Sequence, residues 1–166
     1  MLIEESIKEF KEVCSLFHIN ELEYCILRLP TSKASGWEFE VDILVKDTQI
    51  KNIHNVLTAQ NFEYSQDSKT SHHHYRRGQL HLDLIVSLCY GKNKEYFASL
   101  GYGILERRIF KNDMYFASEI DEFTTLFLHC LFDKRNFDKH FKGIFKLIDS
   151  IGEEKCINEM AKVYRG

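Results

Sequence analysis

The chain has 166 residues, 44% hydrophobic and 28% charged, an ordinary globular composition from which one compact unit with a substantial core is expected. A formal net charge of −3 and a pI of about 6.2 argue against a nucleic-acid coat, so no extended nucleic-acid surface is expected. No apolar run approaches the ~18 residues that cross a bilayer, and the start, Met1-Leu2-Ile3-Glu4-Glu5, is acidic where a signal peptide is basic and then apolar, so no membrane is expected.

Ile3, Ile7, Phe10, Cys14 and Phe17 recur at helical spacing and predict an amphipathic helix over 3–17. Leu22–Leu29 reads as a strand stopped by Pro30, followed by the polar loop Thr31–Trp37. Glu38–Lys46 is a second strand, and Asp47 is placed to cap a helix with the stripe Ile50, Ile53 and Leu57. Phe62–Tyr64 is read as a short strand. Ser71–Arg77 and Gln79–Leu88 are expected to be the arms of a hairpin turning near Gly78. Asn93–Ser99 predicts a short helix that Gly101 and Gly103 would weaken. Ile104–Phe110 and Met114–Ala117 flank Lys111-Asn112-Asp113 as a second hairpin.

From Ser118 the pattern turns helical. Ser118-Glu119-Ile120-Asp121 has the form of a capping box, with Phe123, Phe127 and Cys130 following at helical spacing. Phe137, Phe141, Ile144, Phe145 and Ile148 make a further stripe ended by Gly152, and Glu153–Tyr164 a last helix. Phe17, Phe127, Phe141 and Phe145 are expected in the core. The expected class is α+β: a sheet-bearing core over 1–117 and C-terminal helices over 118–166 packed on it as one unit. Cys14, Cys25, Cys89, Cys130 and Cys156 are odd in number, widely spaced and without C-x-x-C, as buried thiols of a cytoplasmic protein are.

Two strands carry acids among apolar residues. In Glu38–Val45, side-chain alternation buries Phe39, Val41, Ile43 and Val45 and sends Glu40 and Asp42 to the other face. In Leu80–Val86 it buries Leu80, Leu82, Leu84 and Val86 and turns Asp83 the opposite way. If the strands are neighbours, three carboxylates meet, and their repulsion is relieved by a cation such as magnesium.

These motifs, in this order, resemble the nucleotidyltransferase superfamily, whose fold is shared with the polymerase beta catalytic core. Such proteins carry a D-x-D strand, here Glu40-Val41-Asp42, and a later strand with a third Asp, here Asp83. The likeness extends to bacterial nucleotidyltransferase-like proteins through Leu27-Arg28, Val41-Asp42-Ile43-Leu44-Val45, His81-Leu82-Asp83-Leu84 and Leu126…His129…Asp133-Lys134, over roughly residues 20–145. It implies a mixed sheet flanked by helices and two Mg2+ ions held by Glu40, Asp42 and Asp83. It also implies transfer of a nucleoside monophosphate from a nucleoside triphosphate to a hydroxyl acceptor. Asp83 would lie nearest the acceptor and take its proton. Phosphate contacts would come from Arg28, Ser32, Ser35 and Gly36, with Lys69 and Arg76 near the pyrophosphate or an anionic acceptor; Arg77 fits a solvated hairpin tip better. Trp37 is placed to stack on a base or to meet a partner.

Two departures separate this chain from the pattern. Leu29-Pro30-Thr31-Ser32 stands where a Gly-Ser is usual, and the first metal carboxylate is Glu rather than Asp. They support an alternative: a degenerate domain of the same fold that binds a protein partner, as in toxin–antitoxin pairs. His129 and Asp133 fit a structural i, i+4 hydrogen bond. The run His72-His73-His74 opens another alternative, because His72 and His74 share a strand face that His81 and Asp83 can join as a zinc- or iron-type hydrolase site. No H-x-x-x-H or H-x-H-x-D-H spacing accompanies it.

Overall fold

A computed structural model describes residues 2–29, 39–66, 72–91, 96–134, 137–138 and 140–165. Helix α1 (Leu2–Ile19) is followed by strands β1 (Tyr24–Arg28) and β2 (Phe39–Val45), then by a 3-10 turn (Asp47–Gln49) that runs into α2 (Ile50–Ala59). Strands β3 (Glu63–Gln66), β4 (His72–Arg77) and β5 (Leu80–Ile85) come next, then the short pair β6 (Leu88–Tyr90) and β7 (Tyr96–Ala98). Helix α3 (Gly101–Arg107), strands β8 (Ile109–Lys111) and β9 (Met114–Phe116), and helices α4 (Glu119–Leu128), α5 (Phe141–Ile151) and α6 (Glu153–Arg165) complete the order. A π-helical segment, His129–Lys134, extends α4.

Among the described residues, seven strands form one mixed sheet in the order β3-β4-β5-β2-β1-β9-β8. β2 runs parallel to β5, and β1 parallel to β9, while the other neighbours are antiparallel. The class is α+β.

Alternation along the central strands builds two cores. Tyr24, Ile26, Val41, Ile43, Val45, Leu80, Leu82 and Leu84 face one way and meet Phe10, Val13, Cys14 and Phe17 of α1 and Ile53 and Leu57 of α2. Cys25, Leu27, Leu44 and Ile85 face the other way and pack with α3, α4, α5 and α6 through Ile104, Phe123, Leu126, Ile144 and Cys156. Full burial of such a side chain contributes about 1.5–3 kcal/mol. The second core covers only part of its face, and the opposite end of β2 and β5 holds polar residues.

Turn and cap chemistry agrees with the sequence at four places. Gly78 has φ +57 between β4 and β5, and Asn112 and Asp113 have φ 52 and 64 between β8 and β9, the left-handed pair that a tight hairpin requires. Ser118 caps α4, its Oγ accepting from the Asp121 N–H at 3.3 Å. Gly152, with φ +96, separates α5 from α6.

Four expectations fail for identifiable reasons. Within Asn93–Ser99 the described part is strand β7, not helix: Tyr96 pairs with Tyr90 and stacks on Phe132 at 4.2 Å, contacts that favour an aromatic in a strand. Gly101 and Gly103 do not stop α3, because burying Ile104 and Leu105 outweighs their poor propensity; the first hairpin arm accordingly shrinks to β8. Asp47 does not cap α2; it opens the 3-10 turn and its Oδ1 accepts from the Thr48 N–H at 2.7 Å and the Tyr102 hydroxyl at 3.0 Å. Phe141 and Phe145 lie outside the core and stack on each other at 4.4 Å.

All five cysteines are unpaired, and only Cys89 is less than fully buried. No helix among the described residues is long and apolar enough to cross a membrane.

Candidate functional site

The parallel pairing of β2 with β5 sets Asp42 directly opposite Asp83, and Glu40 opposite His81. Paired residues on neighbouring strands point to the same face. Glu40, Asp42 and Asp83 consequently share the face that α3–α6 leave partly open, and one carboxylate oxygen from each lies within 4.8 Å of the others. Glu40 is exposed, Asp42 half-buried and Asp83 buried, so the cluster runs from solvent into the sheet.

β1 adds one cation. A register irregularity between Ile26 and Arg28 puts Arg28 opposite Asp42. Its Nε and Nη2 both donate to Asp42 Oδ2, at 3.0 and 2.6 Å, which leaves Oδ1 unengaged by the guanidinium. One guanidinium against three carboxylates leaves the patch with an excess of negative charge, which favours a divalent cation. The all-oxygen donor set suits magnesium.

β4 supplies imidazoles. His74 is opposite Asp83, and His72 and Arg76 share its face. His72 Nδ1 lies within hydrogen-bond distance of both Asp83 oxygens, at 3.0 and 2.9 Å. His74 Nδ1 lies 3.5 Å from Asp83 Oδ1 and 3.3 Å from His81 Nε2. His73 turns to the other face, where its Nδ1 meets the Tyr64 hydroxyl at 3.0 Å, and burial lowers its pKa, with His54, His72 and His74 adding to the shift.

Arg76 is exposed on the site's face. Arg77 is on the opposite face, donating to Glu9 Oε1 at 2.5 Å and stacking on Phe62, so it belongs to the packing of α1. Ser32, Ser35, Gly36, Trp37 and Lys69 lie outside the described residues.

Sequence reasoning missed a second layer behind Arg28. Its Nη1 and the Tyr90 hydroxyl are buried and have no hydrogen-bond partner among the described residues. Burial raises the Tyr90 pKa, with the charge of Arg28 opposing the shift. Glu122 is raised too, by burial, again opposed by Arg28. Asp133 accepts from His129 Nδ1 at 2.9 Å, as their spacing predicts, and from the Gly91 N–H at 2.7 Å, which ties the π-helical segment to the end of β6. Tyr90 leaves no mark in the sequence: it lies in a three-residue strand, β6, whose partner segment has the pattern of a helix.

Compared with known proteins, the chain matches no family model, no curated protein and no solved structure.

Proposed function

We propose that this chain is a magnesium-dependent nucleotidyltransferase that moves a nucleoside monophosphate from a nucleoside triphosphate to a hydroxyl acceptor and releases pyrophosphate. The observation that carries the reading is the meeting of Glu40, Asp42 and Asp83 within 4.8 Å on one face of the sheet. The acceptor class is a small molecule, a sugar or a protein side chain.

Glu40 and Asp42 would hold two magnesium ions, and Asp83 the one nearest the acceptor. Bound magnesium supplies charge neutralisation at the attacking and leaving oxygens. Asp83, hydrogen-bonded to His72, would take the acceptor's proton. Arg28 holds Asp42 by one oxygen and would meet the triphosphate at the end of β1. Arg76 stands exposed on the same face, where an anionic group of the acceptor or the pyrophosphate would pass.

One observation favours a second reading, a binding module without catalysis. Asp42 is already ion-paired with Arg28, and Asp83 already hydrogen-bonded by His72, so part of the charge is neutralised within the chain. Calorimetric titration of the four common nucleoside triphosphates, with and without magnesium, separates the two. Magnesium-dependent binding that Asp42→Ala removes supports the enzyme. Absence of binding by every triphosphate supports the module and directs the search to a protein partner.

A further inference from the structure

Two buried donors stand idle beside the carboxylates. Arg28 directs Nε and Nη2 at a single Asp42 oxygen, while its Nη1 is buried and has no hydrogen-bond partner among the described residues. The Tyr90 hydroxyl is in the same condition, on a side chain only 6% exposed. The two are electrostatic neighbours: the charge of Arg28 opposes the rise that burial gives the Tyr90 pKa, and Asp42 and Asp133 act on the same hydroxyl. The carboxylates around them do not supply the missing acceptor. Asp42 offers the guanidinium Oδ2. Asp133 is engaged by His129 and by the Gly91 N–H, and Nη1 bonds to neither Asp133 nor Glu122. A guanidinium can only donate, and a buried donor without an acceptor loses more on desolvation than an ordinary hydrogen bond returns. Two such groups around one ion pair point to an acceptor that comes from outside the chain.

We infer that Arg28 Nη1 and the Tyr90 hydroxyl are donors for the phosphate chain of the ligand, which makes Tyr90 a binding residue outside the carboxylate cluster. This rests on the triphosphate reading of the same site. A phosphate chain presents several anionic oxygens, so the two donors need not share one. The guanidinium fork then divides its work: the Nε and Nη2 edge holds Asp42, and the remaining nitrogen holds phosphate. Burial keeps the phenol protonated, and therefore a donor, at neutral pH. Access to the hydroxyl comes through β6–β7, a two-stranded unit with three residues in each strand. Such a pair has little stability of its own, and its movement would uncover Tyr90.

The test is calorimetric titration with a nucleoside triphosphate and, separately, with inorganic tripolyphosphate, each with magnesium, on the wild type, Tyr90→Phe and Asp42→Ala. Thermal melting without ligand accompanies it. Tyr90→Phe removes only the hydroxyl. Because that group has no partner in the free protein, the variant should melt at or above the wild-type temperature. It should bind each phosphate ligand about ten- to a hundredfold more weakly, the loss expected for a hydrogen bond to a charged group. Affinity within twofold of wild type would overturn the inference. A lowered Tm would overturn it too, since it would mean that water or the chain itself satisfies the hydroxyl in the free protein. The two readings fail separately. Triphosphate binding that Asp42→Ala removes and Tyr90→Phe leaves intact would uphold the magnesium site and overturn the donor role. Tripolyphosphate binding that Tyr90→Phe weakens, without triphosphate binding, would uphold the donors and overturn the nucleotide reading. Binding of neither ligand would overturn both.

Discussion

The two faces of β2 and β5 are made by alternate residues of the same strands, yet they are different materials. On one face Val41, Ile43, Leu82 and Leu84 are sealed under α1 and α2. On the other, Glu40, Asp42, His81 and Asp83 gather where the helical cover stops. The backbone hydrogen bonds that hold the packed residues in register also hold the polar ones in register. A site built this way acquires its precision from a core it does not touch, and a one-residue slip would exchange the two sets entirely.

The comparison breaks most readily at adjacent positions of β2. Ile43→Ala should destabilise the fold by about 2–5 kcal/mol in urea denaturation, because the cavity opens in a sealed core. Asp42→Ala should remove magnesium-dependent triphosphate binding while destabilising the fold less than Ile43→Ala does, since its side chain is partly solvated. Equal destabilisation by the two would mean that the open face is structural after all.

Alkaline titration sharpens the contrast between dry and wet regions. Burial pushes the Cys14 thiol, on the α1 side, up to about 12 from 9.0, and the Cys25 thiol, on the α4 side, likewise to about 12. A folded-state pKa raised above the unfolded one gives stability that is complete below the unfolded value and is lost as pH rises through the folded one. Stability should therefore decline between pH 9 and about 12. Cys14→Ala should flatten that decline, and denaturant midpoints measured across this range would reveal it. At neutral pH both thiols should resist alkylation in the native protein.

Smaller effects belong to the helices. Ser118→Ala removes the cap of α4 and should cost about 1 kcal/mol, visible as a lowered denaturation midpoint. Lys162→Ala removes an exposed i, i+3 pair with Glu159 and should change the midpoint by no more than about 0.5 kcal/mol. A larger loss there would show that α6 depends on charge as well as on its buried Cys156 and Met160.

What could be read from the sequence follows the same division. Period-two alternation placed Glu40 and Asp42 together and turned Asp83 away from Leu82 and Leu84, and the β2–β5 pairing brought the three acids to one patch. Turn chemistry at Gly78 and Asn112-Asp113 was visible because only few residues tolerate positive φ. Other features arise from contacts distant in sequence. Tyr96 becomes a strand residue through Tyr90 and Phe132, and α3 forms despite two glycines because Ile104 and Leu105 find a core. The π-helical segment lets Asp133 reach both His129 and Gly91, and no local pattern announces it. Arg28 stands out in the sequence for its place at a strand end, but its bond to Asp42 depends on a register irregularity that local sequence does not encode.

The parallel pairing of β2 and β5 has a consequence in time. Asp42 and Asp83 belong to strands that cannot be joined by a tight turn; α2, β3 and β4 must intervene. A growing or refolding chain closes the β4–β5 hairpin locally and early, whereas the β2–β5 ladder waits for a long loop to close. The acidic cluster is thus expected to form late in folding. Cation binding at these three acids would report a completed sheet, and a chain halted before β5 docks on β2 would hold the same acids without the site.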